Sequence, residues 1–394
     1  MTRVMLVFGT RPEAIKMAPV VRALAASPHH EPVVVVTAQH REMLDQVLDL
    51  FGITPDHDLD VSSPRQGLGP LTSRAIDRLG PVLAAERPDL LLVQGDTTTT
   101  LVGALAGFYA QVPVVHLEAG LRTNDVLNPF PEEMNRRLVT RLAALHLAAT
   151  PAARENLLSE GVSPADVHVT GNTVIDALLW AVHLDRPVED PLLARAQRHD
   201  GPVLLWTSHR RESWGAPMAR VGSAVARVAE AEPDLLVVLP AHRNPTVREA
   251  LAPTVSGMPN VVVGEPADYW SFARLMRRAT LLLTDSGGVQ EEGPSLGKPV
   301  LVTRETTERP EAIDAGVAEL VGTDPDLVVR RVRRLLHDPA AYARMATAVS
   351  PYGDGRAAAR TVQAVERLLR GGPVEEFAPE PGSVHATESV VIGN

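Results

Sequence analysis

The sequence of 394 residues contains no cysteine, and aromatic residues make up only 4% of it. The first absence excludes disulfides, thiolate metal sites and cysteine nucleophiles, although metal sites built from histidine and carboxylate remain open. The second absence means that the core must be mostly aliphatic. Because the chain exceeds the size at which one hydrophobic core usually stops growing, we expect two domains.

Long apolar runs and an excess of positive charge are missing as well. No run of about 20 apolar residues occurs, so no membrane span is expected. The apolar stretch from Arg3 to Phe8 is too short for a signal peptide, which leaves a cytoplasmic location as the expectation. The net charge is −10 at pH 7 and there is no basic tail. This balance predicts no binding to nucleic acid or anionic membranes, so a few local cations must hold any anionic ligand.

Common cofactor motifs are absent too. Neither a GxGxxG nor a Walker A pattern occurs, so a nicotinamide or ATP site lacks its main support. No helix carries two histidines at metal-binding spacing, although a metal site assembled from separate strands stays open.

Short runs of leucine and β-branched residues alternate with helical patterns along the whole chain. Continuous apolar runs indicate strands buried on both faces, and their alternation with helices predicts parallel sheets. The predicted strands are Val4–Phe8, Pro32–Thr37, Leu90–Val93, Val112–Leu117, Val203–Thr207, Leu235–Leu239, Val261–Val263, Leu281–Thr284 and Val300–Thr303.

The segment 186–202 mixes charges and prolines and contains no clear strand, so we expect it to follow a domain boundary. The prediction is an N-terminal α/β domain over residues 1–185 and a C-terminal α/β domain over residues 186–370. Residues 371–394 are rich in Gly, Pro, Glu and Ser and are expected to form a disordered tail.

Polar, basic or glycine-containing clusters follow nearly every predicted strand. Ligands of open parallel sheets bind at the carboxyl ends of strands, so clusters in both halves predict a cleft lined from two sides. The stretch Asp285–Gly288 suits an anion, because glycines allow close approach and a helix N terminus directs N–H groups outward. Arg11, His209 and Arg309 can supply further positive charge. The alternative is a tight turn in which Ser286 caps the helix.

Three carboxylates of the first half, Asp96, Glu118 and Glu132, lie at strand ends or at a helix start. Structural alternatives exist: Asp96 can cap a helix, and Glu132 can pair with Arg136 four residues on. Like charges gathered in one cleft are costly unless acid–base chemistry requires them. For Lys16, the alternative to a functional role is that it is solvated or structurally paired.

Ten motifs occur in a fixed order along the chain. They are Phe8–Pro19, Thr37–Leu44, Gly95–Thr100, Glu118–Thr123, Pro131–Glu133, Gly171–Thr173, His209–Glu212, Asp285–Glu292, Thr306–Glu311 and Pro351–Gly355. As an ordered set over roughly residues 3–370, they resemble the non-hydrolysing UDP-N-acetylglucosamine 2-epimerase family. One departure, Arg243 after His242, adds a charge near a ligand loop.

The resemblance implies a GT-B type α/β fold, in which two Rossmann-like domains with parallel sheets face a central cleft. It also implies a homodimer that uses no nicotinamide, metal or other cofactor. The implied reaction converts UDP-N-acetylglucosamine (UDP-GlcNAc) reversibly into UDP-N-acetylmannosamine (UDP-ManNAc). UDP is first eliminated to leave 2-acetamidoglucal, and UDP is then re-added with protonation on the other face of C2.

The resemblance also assigns roles to residues of this sequence. Glu292 would bind the ribose hydroxyls and Phe272 would lie beside the uracil. The implied catalytic set is Asp96, Glu118, Glu132 and His209. The implied substrate-binding set is Arg11, Lys16, Phe272, Ser286, Gly287, Gly288, Glu292 and Arg309.

A second, regulatory UDP-GlcNAc site is a further implication of the resemblance. Its residues would be Gln39, His40, Glu42, Arg65, Arg210 and His242. The alternative is that these polar groups simply line the interface between the two domains.

Three other functions stay open at this point. A GT-B glycosyltransferase that uses a UDP-sugar shares the fold, and fold does not decide function. A hydrolysing epimerase would release free N-acetylmannosamine and UDP. A nucleotide-sugar sensor would bind UDP-GlcNAc without turnover. The three carboxylates and the close motif match favour the non-hydrolysing epimerase.

Overall fold

The computed structural model describes residues 1–38, 41–62 and 67–379, except for the side chain of Glu212. The chain divides into two compact units. The first unit holds Met1–Trp180 and Tyr352–Ala378, and the second holds Ala181–Pro351.

These units differ from the sequence-based limits 1–185, 186–370 and 371–394. The chain leaves the first unit after Trp180, inside the helix Thr173–His183, so no turn or linker marks the crossing. It returns at Tyr352, and the last helix therefore belongs to the first unit. Residues 371–379, expected in a disordered tail, pack on this unit: Phe377 is buried and donates its N–H to the Val169 carbonyl at 2.7 Å.

Thirteen strands occur in the described residues. They are β1 (Thr2–Phe8), β2 (His30–Val36), β3 (His57–Asp58), β4 (Leu90–Gln94), β5 (Val114–Ala119), β6 (Leu145–Ala148), β7 (Val167–Val169), β8 (Val203–Thr207), β9 (Leu236–Pro240), β10 (Val261–Gly264), β11 (Leu281–Thr284), β12 (Val300–Val302) and β13 (Ala318–Leu320). All nine predicted strands are present, with ends shifted by no more than two residues.

The same ranges contain sixteen α-helices. They are α1 (Arg11–Ala26), α2 (Arg41–Phe51), α3 (Leu68–Glu86), α4 (Thr98–Tyr109), α5 (Glu132–Leu142), α6 (Pro151–Ser159), α7 (Thr173–His183), α8 (Pro191–Gln197), α9 (Ala216–Ala231), α10 (Pro245–Val255), α11 (Tyr269–Arg278), α12 (Gly287–Ser295), α13 (Pro310–Asp314), α14 (Pro325–His337), α15 (Pro339–Ala346) and α16 (Ala357–Arg370).

Each unit is built on one parallel sheet. The strand order is β3-β2-β1-β4-β5-β6-β7 in the first unit and β10-β9-β8-β11-β12-β13 in the second, counted over the described chain. Both orders are Rossmann-like and reverse at one point, between β1 and β4 and between β8 and β11. Val4–Phe8 of the central strand β1 are fully buried, as expected for a strand covered on both faces.

The reversal, or switch point, determines where the functional loops lie. Connections on its two sides run to opposite faces of the sheet, so the loops diverge and leave a crevice at the carboxyl ends. In the first unit these loops begin at Gly9 and Gly95, and in the second at Ser208 and Asp285.

Two absences hold over the described ranges. No helix there is long and apolar enough to cross a membrane. Nor does this part of the chain contain a group of three or more side chains placed to hold a metal ion.

A buried carboxylate ties α16 to α7 within the first unit. Asp176 accepts hydrogen bonds from the N–H groups of Ala357 at 3.2 Å and Ala358 at 2.8 Å, in the first turn of α16. Burial raises the pKa of Asp176 from its usual 3.8 to about 6, although these hydrogen bonds act in the opposite direction.

We expect Asp176 to lower the free energy of unfolding as the pH rises from about 4 to about 6, because the folded chain retains a proton on Asp176 that the unfolded chain has released. A shift of about two units corresponds to about 3 kcal/mol. Asp176→Asn should remove this contribution and so change the slope of the unfolding free energy against pH, as measured by urea unfolding across that pH range. Glu31→Gln, at a half-exposed carboxylate, should keep it. An unchanged slope in Asp176→Asn would contradict the assignment.

Candidate active site

Glu118 lies at an irregular point of β5. The pairing of β5 with β6 shifts register between Leu117 and Ala119, and Glu118 has a φ of 61°. A left-handed backbone is uncommon for a residue other than glycine, and bulges of this kind often redirect side chains at functional sites. The bulge therefore accounts for a carboxylate at the end of an otherwise apolar strand.

The Glu118 carboxylate is held from three sides. The Lys16 ammonium lies 2.5 Å from Oε1, and the Asn172 amide donates to the same oxygen at 3.0 Å. Gln94 donates to Oε2. The Lys16 and Glu118 side chains are only 15% and 14% exposed, so the ion pair is largely sheltered from water. Lys16 is thus paired with one of the candidate catalytic carboxylates rather than solvated.

Asp96 is bound by helix α5. Arg136 donates to its carboxylate at 2.6 Å, and the Asn135 amide donates to its carbonyl at 2.8 Å. It does not cap α4, since Thr97 is the N-cap residue and accepts the Thr100 N–H at 3.2 Å. Asp96 therefore has no helix-capping function, and its position depends on α5.

Glu132 and Glu133 begin α5 but have different surroundings. Glu133 is fully buried and pairs with Arg136 at 3.2 Å and Arg137 at 3.0 Å. Burial acts to raise the pKa of Glu133, but the Thr123 N–H and the two arginines hold it below its usual range. Within the described residues, the partly exposed Glu132 carboxylate has no hydrogen-bond or ion-pair partner. The pair expected between Glu132 and Arg136 is not formed, because Arg136 is bound by Asp96 and Glu133.

The start of α12 has the features of an anion site. Ser286 is its N-cap residue, but its side chain makes no capping hydrogen bond. A Cβ built on Gly287 would lie 3.2 Å from the guanidinium carbon of Arg309 and 3.4 Å from a nitrogen of Arg210. Two guanidinium groups thus lie against the backbone at the positive end of the helix dipole. The capping alternative for Ser286 is not observed, and the first-turn N–H groups stay available to a ligand.

A carboxylate that sequence reasoning missed lies among these arginines. Glu308 accepts from Arg304 at 2.7 and 3.2 Å, and it lies 3.9 Å from both Arg210 and Arg309. Burial acts to raise the pKa of Glu308, but the surrounding guanidinium groups lower it to about 2. The arginines are therefore partly neutralised within the chain.

His209 is oriented by the loop after β11. Its Nδ1 lies 3.1 Å from the carboxylate of the fully buried Asp285, which also accepts the backbone N–H groups of His209 and Arg210 at 2.8 and 2.9 Å. A proton on Nδ1 leaves Nε2 as an acceptor for a ligand. The ring of His242 stacks on that of His209, with 6.1 Å between centroids.

Two neighbouring helices carry the residues that the resemblance assigns to a nucleoside. Glu292 of α12 is buried and accepts a hydrogen bond from the Tyr269 hydroxyl of α11 at 3.1 Å. A Cβ on Gly288 would lie 3.6 Å from the other Glu292 oxygen. Phe272 is on the same helix as Tyr269 and is half-buried.

The remaining site predictions are only partly covered by the structure. Gln39, His40 and Arg65 of the predicted regulatory site lie outside the described residues. Glu42 is exposed in the first turn of α2. Arg11 is the first residue of α1 and is half-buried, and no partner for its guanidinium is found among the described residues.

Several residues that hold the site were missed as functional residues. They are Gln94, Arg136, Asn172, Tyr269, Asp285 and Glu308. Asn172, Asp285 and Glu308 lie within recognised motifs, which is the one signal that could have identified them.

Comparisons with known proteins agree on one family. A family model described as UDP-N-acetylglucosamine 2-epimerase matches residues 22–366. The chain is 52% identical over 371 residues to the UDP-N-acetylglucosamine 2-epimerase of Salmonella typhimurium, covering 92% of this chain and 98% of that protein.

Solved structures give the same result. The UDP-GlcNAc 2-epimerase of Neisseria meningitidis bound to UDP-GlcNAc is similar with a TM-score of 0.84 and 44% identity, covering 93% of this chain and 100% of that one. The enzyme of Methanocaldococcus jannaschii in complex with UDP-GlcNAc and UDP gives a TM-score of 0.76 and 30% identity, covering 92% and 99%. The structural matches confirm the expected GT-B fold class.

Replacing Arg136 tests how the site is supported. Arg136→Met should lower the free energy of unfolding by about 3 kcal/mol, because the buried Glu133 loses one of its two cations. Arg141→Met is the matched control, since that exposed guanidinium of the same helix donates to the Glu160 carbonyl. It should change stability by less than about 0.5 kcal/mol. Urea unfolding measures both, and equal losses would contradict a special role for Arg136.

Proposed function

The chain belongs to the UDP-N-acetylglucosamine 2-epimerase family, and from that premise we propose that it interconverts UDP-GlcNAc and UDP-ManNAc by inverting C2. The observation that carries the proposal is chemical: one unit holds carboxylates suited to proton transfer, and the other holds an uncapped helix start beside two arginines. A C2 epimerase that releases and recaptures UDP needs both.

The reaction begins with elimination. No carbonyl acidifies the C2 proton of the sugar, so the bond from C1 to the UDP oxygen must be largely broken when that proton is lost. The departing diphosphate needs stabilisation, which the N–H groups at Gly287 and the guanidinium of Arg309 can provide. His209 can donate or accept at Nε2, because Asp285 holds its Nδ1. UDP and 2-acetamidoglucal are the products of this half-reaction.

The second half-reaction returns UDP to C1 and a proton to the opposite face of C2. Two faces of one carbon require two proton-transfer groups, which gives a reason for several carboxylates in one unit. Asp96 is ion-paired with Arg136, and Glu118 is ion-paired with Lys16. Glu132 has no ion-pair partner among the described residues. We assign the proton transfers to these three carboxylates, with Glu132 as the one whose side chain can rotate.

Incubation with UDP-GlcNAc in deuterated water tests the reaction. We expect proton NMR to show UDP-ManNAc appearing with deuterium at C2, and no accumulation of free sugar. Free N-acetylmannosamine with stoichiometric UDP would indicate a hydrolysing epimerase instead. Binding of UDP-GlcNAc without C2 exchange would indicate a sensor, and sugar transfer to an added acceptor would indicate a glycosyltransferase.

The same assay tests the carboxylates. Asp96→Asn, Glu118→Gln and Glu132→Gln should each reduce C2 exchange by about 10²- to 10⁴-fold, the usual contribution of a positioned acid or base. Each variant should still bind UDP. Near-normal exchange in all three would overturn the assignment.

Affinity for UDP tests the α12 site. Arg309→Ala should weaken UDP binding roughly 10- to 100-fold, because a charge-assisted hydrogen bond is lost. Ser286→Ala should change it less than about 3-fold, since the backbone N–H groups remain and the Ser286 side chain caps nothing. Arg330→Ala, at an exposed position of α14, is the control for loss of one positive charge. Titration calorimetry with UDP gives the values, and unchanged affinity in Arg309→Ala would refute the site.

Two implications of the resemblance remain predictions. One is a homodimer, and the other is regulation by UDP-GlcNAc at a second site. Arg210 and His242, two residues of that site, lie in the second unit close to groups assigned to UDP. Their proximity supports an influence of the regulatory ligand on UDP binding.

A further inference from the structure

A carboxylate of the chain itself fills the crevice at the switch point of the first sheet. Glu13 is 1% exposed. Oε2 accepts the N–H groups of Gly9 at 3.0 Å and Thr10 at 2.7 Å, in the loop after β1. Oε1 accepts the hydroxyl of Thr97 at 2.6 Å, after β4. The Thr100 hydroxyl lies 3.2 Å from the same oxygen and donates to the Gln94 carbonyl at 2.6 Å. One side chain therefore joins the two loops that diverge at the switch point.

A capping function explains only part of this arrangement. A glutamate three residues into a helix commonly accepts the N–H of the N-cap residue, here Thr10. The bond from Thr97 comes from a different strand and loop, and no helix cap requires it. Burial of Glu13 raises its pKa, although hydrogen bonds from the Thr97 side chain and from the N–H groups of Gly9 and Thr10 act in the opposite direction. The carboxylate thus does more than cap α1, since it also bonds the loop after β4.

The joined loops flank two residues of the candidate site. Thr10 immediately precedes Arg11, and Thr97 immediately follows Asp96. The loop after β1 is also tightly packed, because a Cβ built on Gly9 would lie 1.8 Å from the Thr37 hydroxyl. A change in the bonding of Glu13 would therefore shift the backbone beside Asp96.

The first unit does not leave its switch point open to an anion. Rossmann-like sheets bind phosphate at the start of the helix that follows their first strand. At that position in the first unit, Glu13 already accepts the N–H groups of Gly9 and Thr10. These two N–H groups therefore bond the chain itself and hold the loop after β1 in place.

We propose that Glu13 is a positioning residue for the epimerisation, because its buried carboxylate fixes the Asp96 turn relative to Arg11 by bonding both loops of the switch point. It need not touch the substrate. The inference rests on the proposed function, since its readout is C2 exchange.

Glu13→Ala and Glu13→Gln test the proposal. Glu13→Ala should lower kcat by about 100-fold, the order expected for a misplacement of about 1 Å, with KM for UDP-GlcNAc changed less than 3-fold. Glu13→Gln should restore kcat to within about 5-fold of the unaltered chain, because its amide can accept from the N–H groups and donate to the hydroxyls. A higher KM with unchanged kcat in Glu13→Ala, or no recovery of kcat in Glu13→Gln, would overturn the proposal.

Asp176→Ala is the matched control. It removes another carboxylate of the first unit, partly buried, that accepts two backbone N–H groups at a helix start. Thermal unfolding should report a stability change in this variant, with kcat within 2-fold of the unaltered chain. Equal losses of kcat in Asp176→Ala and Glu13→Ala would show that Glu13 acts only through stability and would overturn the proposal.

Thr97→Val provides the second route, should Glu13→Ala fail to fold. It keeps the side-chain shape and removes the hydroxyl that donates to Glu13 at 2.6 Å and that also caps α4. Thr150→Val, which removes the equivalent cap of α6, is the control for the lost cap and should leave kcat within about 2-fold. We expect kcat to fall about 10-fold with KM nearly unchanged, in line with the loss of one such bond. Unchanged kcat would overturn the proposal. If the unaltered chain gives no C2 exchange, the proposed function itself fails, whereas exchange that is insensitive to these variants refutes only the role of Glu13.

Discussion

In each sheet a buried carboxylate joins the two loops of the switch point, and the two carboxylates differ in the groups that they bond. Glu13 accepts N–H groups at the N terminus of its own helix α1. Asp285 instead accepts N–H groups from the loop after β8, and no side chain caps the start of α12. The start of α12 therefore stays available to an anion, whereas the start of α1 is bonded by the chain itself.

The fold could be predicted where the apolar runs are long. Strands such as β1 and β8 are continuous apolar runs buried on both faces, and such runs can be detected in a sequence. The strands β3, β6, β7 and β13 have only two to four residues, and each of them contains a histidine or a charged residue. The return of α16 to the first unit is set by tertiary contacts such as the pairing of Asp176 with its first turn, which no local pattern encodes.

Candidate site residues could be named from the sequence, but the partners that hold them could not. Motifs identified Lys16, Asp96 and Glu118, because these residue types at strand ends suggest chemistry. The partner of Glu118 lies 102 residues away in sequence and that of Asp96 lies 40 away, and such contacts leave no periodic trace. Local rules suggested a pair between Glu132 and Arg136, yet the more deeply buried Glu133 takes the arginine, since an uncompensated charge costs more there.

The crossing of the chain at Trp180 and its return at Tyr352 also determine the order in which the molecule can be completed during synthesis. All described strands of the second unit lie within residues 181–351, so they can pair once residue 351 has left the ribosome. The first unit is complete only when α16 has packed against α1 and the segment around Phe377 has bonded to β7. The half of the protein that is translated first is therefore the half that finishes folding last.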